Sequence, residues 1–336
     1  MSMDANRHEK LKVGYYKSVR CKKVDWLWYP YIPYGKITIV QGDPGEGKST
    51  FALSLSALVS NGGYLPFSGE KIEQGAVVYQ NSEDGLEDTI CPRLKSLGAN
   101  LDKVAYIDET NAALAMDDER LEQVLDETGA RLMILDPIQA YCGENADMNR
   151  ASGIRPILSK LAKLAQRKNC AIILIGHLSK ATSMKDLYRG LGSIDIPAAA
   201  RSVLLVSRLK ESPNERVVAQ IKNNLAPIGD SMVFRVTPQM SVDWVRVSRI
   251  TAEEIVCDMP DKHISKRDKA ESEIYKLLIK GAKPSNVVIE ECRKLGISER
   301  TVNKVKADLG IRSIKRKDGW YWFISNSEEE EDSDGK

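Results

Sequence analysis

Between residues 36 and about 250, short aliphatic runs alternate with longer amphipathic stretches. The runs are β-branched or aliphatic throughout, which is typical of strands buried on both faces of a sheet. We predict strands at KITIV (36–40), GAVVYQ (75–80), KVAYI (103–107), RLMILD (131–136), CAIILIG (170–176) and RSVLLVS (201–207). Helical spacing of apolar residues predicts helices at 50–60, 117–128 and 154–168. This alternation predicts an α/β fold with a central, mostly parallel sheet and crossover helices.

The pattern changes after these runs. RVVAQIK, SMVFRVTP and SVDWVRVS, all between residues 216 and 248, predict antiparallel strands at the sheet edge. The next stretch is polar and weakly patterned, as linkers are. We therefore expect a large domain over 1–250 with a lead-in at 1–24, a linker at 251–267, a small domain at 268–325 and a disordered acidic tail at 326–336.

Composition narrows the class of protein. The 336 residues are 42% hydrophobic and 29% charged, which is the balance of a globular chain. No apolar run approaches the roughly 20 residues of a membrane span, and the first residues lack a signal-peptide core, so we expect a cytoplasmic protein without a membrane partner. The six cysteines lie far apart, with no C-x-x-C pair, so neither a zinc site nor a redox pair is predicted.

Charge is distributed unevenly behind a net charge of +2. Residues 1–260 carry equal numbers of acidic and basic side chains. Residues 261–319 carry 16 Lys and Arg against 9 Asp and Glu, and residues 320–336 carry 1 against 6. The basic region is therefore confined to the predicted small domain, and the acidic tail is interpreted as a solubilising end or a competitor for that basic surface.

The stretch GDPGEGKS (42–49) matches the phosphate-binding motif G-x-x-x-x-G-K-[ST], between a predicted buried strand and an apolar helix. Its glycines let successive backbone N–H groups face one anion, and the helix adds its positive end. We expect Lys48 to reach the β- and γ-phosphates, Ser49 to hold Mg²⁺ and Thr50 to lie near the α-phosphate. The predicted nucleotide-binding residues are Gly42, Asp43, Pro44, Gly45, Glu46, Gly47, Lys48, Ser49 and Thr50.

Three further candidates follow predicted strands. Asp136 ends RLMILD and is a candidate Walker B aspartate that holds Mg²⁺ with Ser49, the alternative being a turn residue before Pro137. Glu83 faces the γ-phosphate if its strand adjoins the P-loop strand, and the alternative is an acidic helix cap. His177 ends AIILIGH, where a strand end points at the ligand crevice, although a lone histidine is usually structural.

The order of these motifs resembles that of a known family. The P-loop is followed by NSEDG, ILDPIQAY, LIGHLSK and YRGLGSIDIPAAARSVLLVSR, as in the RepA-like RecA-type ATPases, or AAA_25 group, of plasmid and phage replicative helicases. DnaB and KaiC ATPases are more distantly similar. The resemblance covers roughly residues 25–250 and implies a RecA-like P-loop NTPase fold that uses ATP and Mg²⁺. It also implies a homo-oligomer, most often a hexameric ring, with sites at subunit interfaces.

The resemblance assigns catalytic roles. It implies that Glu83 activates water and that His177 senses the γ-phosphate. It further implies an arginine finger from a neighbouring subunit, which falls on Arg201, with Arg208 as the reserve. Relatives carry a Lys-x-Arg pair at IKNNLAP, where this chain has Lys222 and Asn224; this departure favours Arg201.

Two regions are candidate DNA contacts. In RecA-type rings the loops that follow the strand-end histidine line the channel, which implies single-stranded DNA contacts by Lys180, Lys185 and Arg189; a solvated lid is the alternative. Residues 266–325 predict two helices, a tight turn at Gly296, a third helix capped by Ser298, and a hairpin. This pattern resembles a winged helix-turn-helix. Its outward residues are Arg300, Asn303 and Lys304 on the third helix and Lys315, Arg316 and Lys317 on the wing.

The leading functional hypothesis is an ATP-driven DNA helicase of replication or a mobile element. It would hold single-stranded DNA in the ring channel and duplex DNA at the winged helix. One alternative is a non-translocating, ATP-regulated DNA-binding regulator of replication or transcription. Another is a RecA-like recombination accessory protein. The winged helix itself has the alternative of a protein-docking module, since a fold alone does not decide its ligand.

Overall fold

The aliphatic runs form the inner strands of a nine-stranded sheet in a computed structural model, which describes residues 13–143, 151–177, 195–256, 266–278, 281–316 and 319–324. The strands before the small domain are β1 (Trp26–Trp28), β2 (Ile32–Pro33), β3 (Ile37–Gly42), β4 (Gly63–Tyr64), β5 (Lys71–Ile72), β6 (Val77–Asn81), β7 (Val104–Ala105), β8 (Leu132–Asp136), β9 (Ala171–His177), β10 (Ser202–Leu209), β11 (Ser212–Asn223), β12 (Ser231–Val236) and β13 (Val242–Ser248). Across the sheet the order is β13-β12-β11-β10-β3-β9-β8-β6-β7.

The sheet is parallel over most of its width. The pairs from β10 to β7 are parallel, and the pairs that join β10, β11, β12 and β13 are antiparallel. The predicted α/β class, the mostly parallel sheet and its antiparallel edge are therefore confirmed. KVAYI is the exception in extent: only Val104–Ala105 pairs, at the sheet edge and with β6 as its neighbour.

Helices cover both faces of the sheet. They are α1 (Lys48–Asn61), α2 (Cys91–Ser96), α3 (Arg120–Thr128), α4 (Ala151–Lys168), α5 (Asp195–Ala199) and α6 (Ala252–Val256). Alternate strand residues enter opposite apolar clusters: Ile39 packs with the side of α3 and α4, and Val40 with the side of α1 and α2. Complete burial of such a side chain stabilises the fold by about 1.5–3 kcal/mol.

Strand register aligns the carboxyl ends of the central strands. Gly42 of β3 pairs with His177 of β9, and Asn81 of β6 pairs with Asp136 of β8. We call this side the carboxyl edge of the sheet. The opposite side, where β3 and β10 begin, is called the amino edge. The P-loop connects β3 to α1, so it lies at the carboxyl edge beside the ends of β9, β8 and β6.

Helix α6 lies inside the segment predicted as a linker. Thr251 caps it: Thr251 Oγ1 accepts from the Glu254 amide at 3.2 Å, and Glu254 Oε2 accepts from the Thr251 amide at 2.8 Å. This reciprocal pair is a capping box. Ala252 is buried among side chains of the large domain, so this short helix packs on that domain; the linker boundaries stay a prediction.

The C-terminal unit has its own core. It comprises α7 (Lys266–Leu278), β14 (Lys283–Pro284), α8 (Ser285–Lys294), α9 (Glu299–Asp308), β15 (Arg312–Arg316) and β16 (Gly319–Phe323), with strand order β14-β16-β15. Val302 and Val305 of α9 pack with Trp322 of β16. Ser298 caps α9 by accepting from the Thr301 amide. This element order is the one expected for a winged helix, which stays an interpretation; residues 325–336, and so the predicted tail, lie outside the described residues.

Within the described part of the chain, no helix combines the length and apolar character needed to cross a membrane.

Candidate nucleotide site

The P-loop has the backbone geometry that its glycines allow. Gly47 precedes α1 with φ of 95°, a left-handed conformation that favours glycine. A Cβ on Gly42 would lie 2.1 Å from the carbonyl oxygen of Val206, so the close approach of β10 also requires glycine there. The loop thus leads directly into α1, whose first turn offers free N–H groups to an anion.

Lys48 follows this loop as the first residue of α1. Its side chain is almost wholly buried, and Nζ donates to the Asp43 carbonyl at 2.7 Å. Burial lowers the pKa of Lys48, and the carboxylates of Asp136, Asp43, Glu46 and Glu83 oppose that shift. The ammonium group is therefore surrounded by acidic groups at the point where the motif requires a cation for phosphate.

Asp136 is buried at the end of β8 and is held by two hydroxyl groups. Tyr79 Oη donates to Asp136 Oδ2 at 2.8 Å, and the Ser49 hydroxyl also donates to this carboxylate. Burial raises the pKa of Asp136, while both hydrogen bonds and Lys48 partly lower it. Tyr79 is not predictable as a site residue from the sequence, where its only signal is a hydroxyl group within a buried apolar run.

The oxygen pair of Ser49 and Asp136 fits Mg²⁺. This ion prefers oxygen ligands and keeps several waters, so one hydroxyl and one carboxylate in contact are a suitable protein contribution. The described residues contain no group of three or more His, Cys, Asp or Glu side chains suited to a metal. With Ser49 and Asp136 as its protein ligands, the ion would also bind phosphate oxygens.

Glu83 reaches the same edge, although its strand does not adjoin the P-loop strand as the prediction required. Strands β9 and β8 lie between β6 and β3. Glu83 Oε1 lies 3.4 Å from Nε2 of His177, whose strand does adjoin β3. Asn81 Oδ1 accepts from the Glu83 and Asp84 amides, at 3.0 and 2.7 Å, and so shapes this turn. The loop beyond β6 thus brings Glu83 beside His177.

The acidic neighbour of Glu83 has another partner. Asp84 pairs with Arg93 at 3.2 Å, and Gly85 occupies the cap position of the helical turn that follows. Asp84 therefore fixes the turn to α2. His177 Nδ1 is buried without a hydrogen-bond partner among the described residues.

Two arginines pack against the P-loop, a feature that sequence reasoning missed. Arg208 of β10 and Arg216 of β11 are cross-strand partners, and like charges in this position repel. Glu46 offsets that repulsion: its carboxylate accepts from the Arg208 amide, and Arg208 also donates to the Gly45 carbonyl at 3.3 Å. The nearest side-chain atom of Arg216 lies 3.3 Å from the position that a Cβ added to Gly47 would occupy. The reserve arginine therefore lies beside the P-loop of its own chain.

Arg201 lies at the amino edge. Its amide donates to the Ile37 carbonyl, and its carbonyl accepts from the Asn224 amide, both at 3.0 Å. Nearby, Lys222 Nζ donates to the carbonyls of Pro197 and Ala200. Burial lowers the pKa of Lys222, and the charge of Arg201 lowers it further. Arg201 is exposed and is separated from its own P-loop by the length of β3.

The structure describes some of the predicted DNA-contact residues and not others. Lys180, Lys185, Arg189 and Lys317 lie outside the described residues. Exposed side chains of the C-terminal unit are Arg300, Asn303 and Lys304 on α9 and Lys315 and Arg316 on β15. The guanidinium of Arg316 lies over the ring of Tyr321, 4.6 Å from its centroid. These exposed cations belong to the basic region identified from the sequence.

Comparison with known proteins agrees with this architecture. The family AAA_25, described as an AAA domain, matches residues 4–183. A DNA repair protein RadA from Aquifex aeolicus is 26% identical over 60% of this chain and 40% of its own length. RadA from Bacillus subtilis is 24% identical over 66% of this chain and 43% of its own. The chain thus spans about two fifths of these curated relatives.

Among solved structures, the crystal structure of the RadB recombinase is 20% identical, with a TM-score of 0.46, over 64% of this chain and 92% of that chain.

Proposed function

We propose that this chain, which belongs to the AAA_25 family of AAA domains, hydrolyses ATP with Mg²⁺ and couples hydrolysis to work on DNA. The observation that supports ATP hydrolysis best is the convergence of Lys48, Ser49, Asp136 and Glu83 at one edge of the sheet. A phosphate cradle alone serves many reactions. A carboxylate beside that cradle, with a buried aspartate and a serine suited to Mg²⁺, is the set that phosphoryl transfer to water needs.

Each group has a defined part in the proposed reaction. Lys48 and the amides of the P-loop bind the β- and γ-phosphates. Glu83 accepts a proton from the water that attacks the γ-phosphorus, and the bond to the β–γ bridging oxygen breaks to give ADP and phosphate. His177 orients Glu83 and senses the γ-phosphate. Ser49 and Asp136 would hold Mg²⁺, which would supply positive charge to the phosphate oxygens.

The proposed site is completed by a second subunit. Arg201 cannot serve the nucleotide of its own chain from the amino edge, but it is exposed and available to a neighbour. In a ring or filament, such an arginine stabilises charge that develops on the transferred phosphoryl group. Arg208, which contacts its own P-loop, is assigned to the same chain's nucleotide instead.

The DNA assignment is supported by the C-terminal unit and by the relatives. Exposed Arg300, Asn303 and Lys304 lie together on α9, within the basic region. We infer that this unit is a winged helix whose α9 contacts duplex DNA. The relatives are named DNA repair proteins, which favours a repair or recombination ATPase over a replicative helicase, the hypothesis formed from sequence. Strand separation remains a second candidate activity.

The test is ATP hydrolysis by the purified chain with and without single-stranded DNA. We expect stimulation by DNA, and loss of activity in Lys48→Ala and Glu83→Gln. Unstimulated hydrolysis, with no separation of a forked duplex, would reject a translocating motor. Sequence-specific duplex binding that survives Glu83→Gln would then support the regulator. Electron microscopy with an ATP analogue separates a ring from a filament, and a filament would favour the recombination accessory role.

A further inference from the structure

Residues 13–25 form an unbroken exposed segment ahead of the first strand. All thirteen are solvent-exposed, including large side chains that normally avoid water. Tyr16 is 95% exposed, Tyr15 75%, Val13 68% and Val19 59%. Monomeric proteins expose single apolar residues routinely, but a run with adjacent aromatic rings is a mark of an interaction site.

The segment is presented from a fixed point. Trp28 of β1 is buried and packs edge-on against Trp244, with ring centroids 5.4 Å apart. The Asp25 carbonyl accepts from the Tyr34 amide at 2.9 Å. Further from this anchor, the segment turns once as a short 3-10 helix (Tyr16–Ser18), in which Ser18 Oγ donates to the Tyr15 carbonyl at 2.7 Å. The two tyrosines therefore lie at the start of this local turn.

The charge of the segment is of one sign. Residues 13–24 hold Lys17, Arg20, Lys22 and Lys23 and no acidic residue. None of these four cations has an ion-pair partner among the described residues. Residues 1–260 as a whole carry equal numbers of acidic and basic side chains, so the part outside this segment has a small excess of acidic ones. The segment is therefore a local positive patch and does not reflect the average composition.

Charge also distinguishes between two possible occupants. A second copy of the chain offers an apolar groove between α1 and β13, lined by Leu58, Tyr64, Pro66, Leu97 and Trp244 among others. The residues lining that groove include no acidic side chain, so it would leave four cations without counter-charges. A single-stranded nucleic acid provides both partners: phosphates for the cations and bases that stack on tyrosine rings.

We propose that residues 13–24 are a single-strand-binding segment, in which Tyr15 and Tyr16 stack on bases while Lys17, Arg20, Lys22 and Lys23 bind phosphates. This site is distinct from the loop and the C-terminal unit identified from sequence. It rests on the proposed DNA-acting function. Sequence preference is weak at such a site, because every base offers a π-face.

The test uses the full chain and a fluorescein-labelled oligothymidylate, with binding followed by anisotropy. Tyr15→Ser/Tyr16→Ser is expected to weaken binding by about tenfold or more. Replacing the four cations by serine should lower the slope of log K against log salt by about 0.7 for each phosphate that the variant no longer binds. Tyr106→Ser, at another exposed tyrosine, is the matched control and should not change the affinity. Irradiation of a 5-iodouracil-substituted strand should cross-link to Tyr15 or Tyr16.

The outcomes separate this inference from the proposed function. Unchanged affinity and no cross-link in the segment would overturn the inference alone. A smaller molar mass by light scattering, accompanying the loss of affinity in the tyrosine variant, would also overturn it, because the segment would then act through self-association. A wild-type chain that binds no single strand would reject both this inference and the DNA part of the proposed function.

Discussion

The two edges of the central sheet differ in what they bring together. The carboxyl edge gathers Lys48, Glu83 and Asp136, which are distant in sequence, within one electrostatic environment. The amino edge carries Arg201, an exposed cation whose backbone is fixed between β3 and β11. In a parallel sheet the two sets are separated by the full length of the strands.

In the proposed function, one chain therefore holds every residue of the site but does not complete the site alone. The carboxyl edge places acidic groups around Lys48 and brings together Ser49 and Asp136, which we propose as the Mg²⁺ ligands. Among the described residues the P-loop lies at the carboxyl edge, so in the proposed function Arg201 reaches a nucleotide when a neighbouring subunit presents its carboxyl edge. Assembly would then stabilise the transition state of hydrolysis, because Arg201 meets the charge that develops on the phosphoryl group only during the reaction.

The largest expected effect is removal of the carboxyl-edge cation. Lys48→Ala should reduce ATP hydrolysis by a factor of about 100–1000, as loss of a charge-stabilising donor does, and should weaken nucleotide binding. Steady-state phosphate release and binding of a fluorescent ATP analogue measure the two effects. Lys36→Ala, on the amino side of β3, is the control and should retain both properties. Full activity in Lys48→Ala would mean that the P-loop lysine takes no part in hydrolysis.

Glu83→Gln separates binding from chemistry at the same edge. The substitution keeps the shape and removes the proton acceptor, so we expect hydrolysis to fall by about 100-fold or more while ATP binding is kept. A single-turnover assay measures the chemical step directly. Asp84→Asn is the control, since Asp84 pairs with Arg93 instead of facing the P-loop. Equal losses in both variants would mean that the turn, not the Glu83 carboxylate, is what matters.

A carboxylate that maintains the fold should behave differently. Glu215 is buried between Arg246 at 2.6 Å and Arg235 at 2.9 Å. Burial raises the pKa of Glu215, but the two arginines lower it by more, so its stabilising contribution is present above the unfolded pKa and is lost as pH falls.

We expect Glu215→Ala to lower the free energy of unfolding by about 3 kcal/mol, because it leaves a buried arginine unpaired. Urea denaturation measures this effect. Glu122→Ala, which removes exposed ion pairs between α3 and α4, should lower the free energy of unfolding far less than Glu215→Ala does. Loss of hydrolysis per folded molecule in Glu215→Ala would contradict a purely structural role.

The smallest effect is expected at Tyr79. Its hydrogen bond lowers the pKa of Asp136 against the rise caused by burial, so Tyr79→Phe should raise that pKa further. Since Asp136 must be ionised to hold Mg²⁺, activity should fall at a higher pH than in the wild type, with little change under alkaline conditions. A pH profile of hydrolysis, with Tyr106→Phe as control, measures this shift. An unchanged acid limb would mean that Asp136 does not limit activity.

The sequence was most informative where a motif is local. GDPGEGKS gives a strand, loop and helix in continuous chain, so the conformation of Gly47 and the position of Lys48 followed from residue types alone. The positions of Asp136 and His177 at strand ends followed from where the aliphatic runs end. The parallel sheet and its antiparallel edge were also predictable, because both depend on periodicity.

What could not be predicted depends on strand order and register. The contact of Tyr79 with Asp136 requires β6 to lie beside β8, and the Arg208–Arg216 pair requires one register of β10 on β11. The same limit affected Glu83: its prediction depended on the condition that its strand adjoins the P-loop strand, whereas the loop after β6 carries it to His177. Periodicity identifies strands but does not order them.

The most direct test of the two-edge account mixes inactive subunits. Lys48→Ala and Arg201→Ala chains are assayed for ATP hydrolysis separately and then together after exchange. If Arg201 acts on a neighbour, some interfaces in the mixture pair an intact Lys48 with an intact Arg201, and activity returns. A parallel mixture of Lys48→Ala with Arg208→Ala should stay inactive, because both residues belong to one chain's nucleotide. Recovery in the Arg208 mixture but not in the Arg201 mixture would contradict the account.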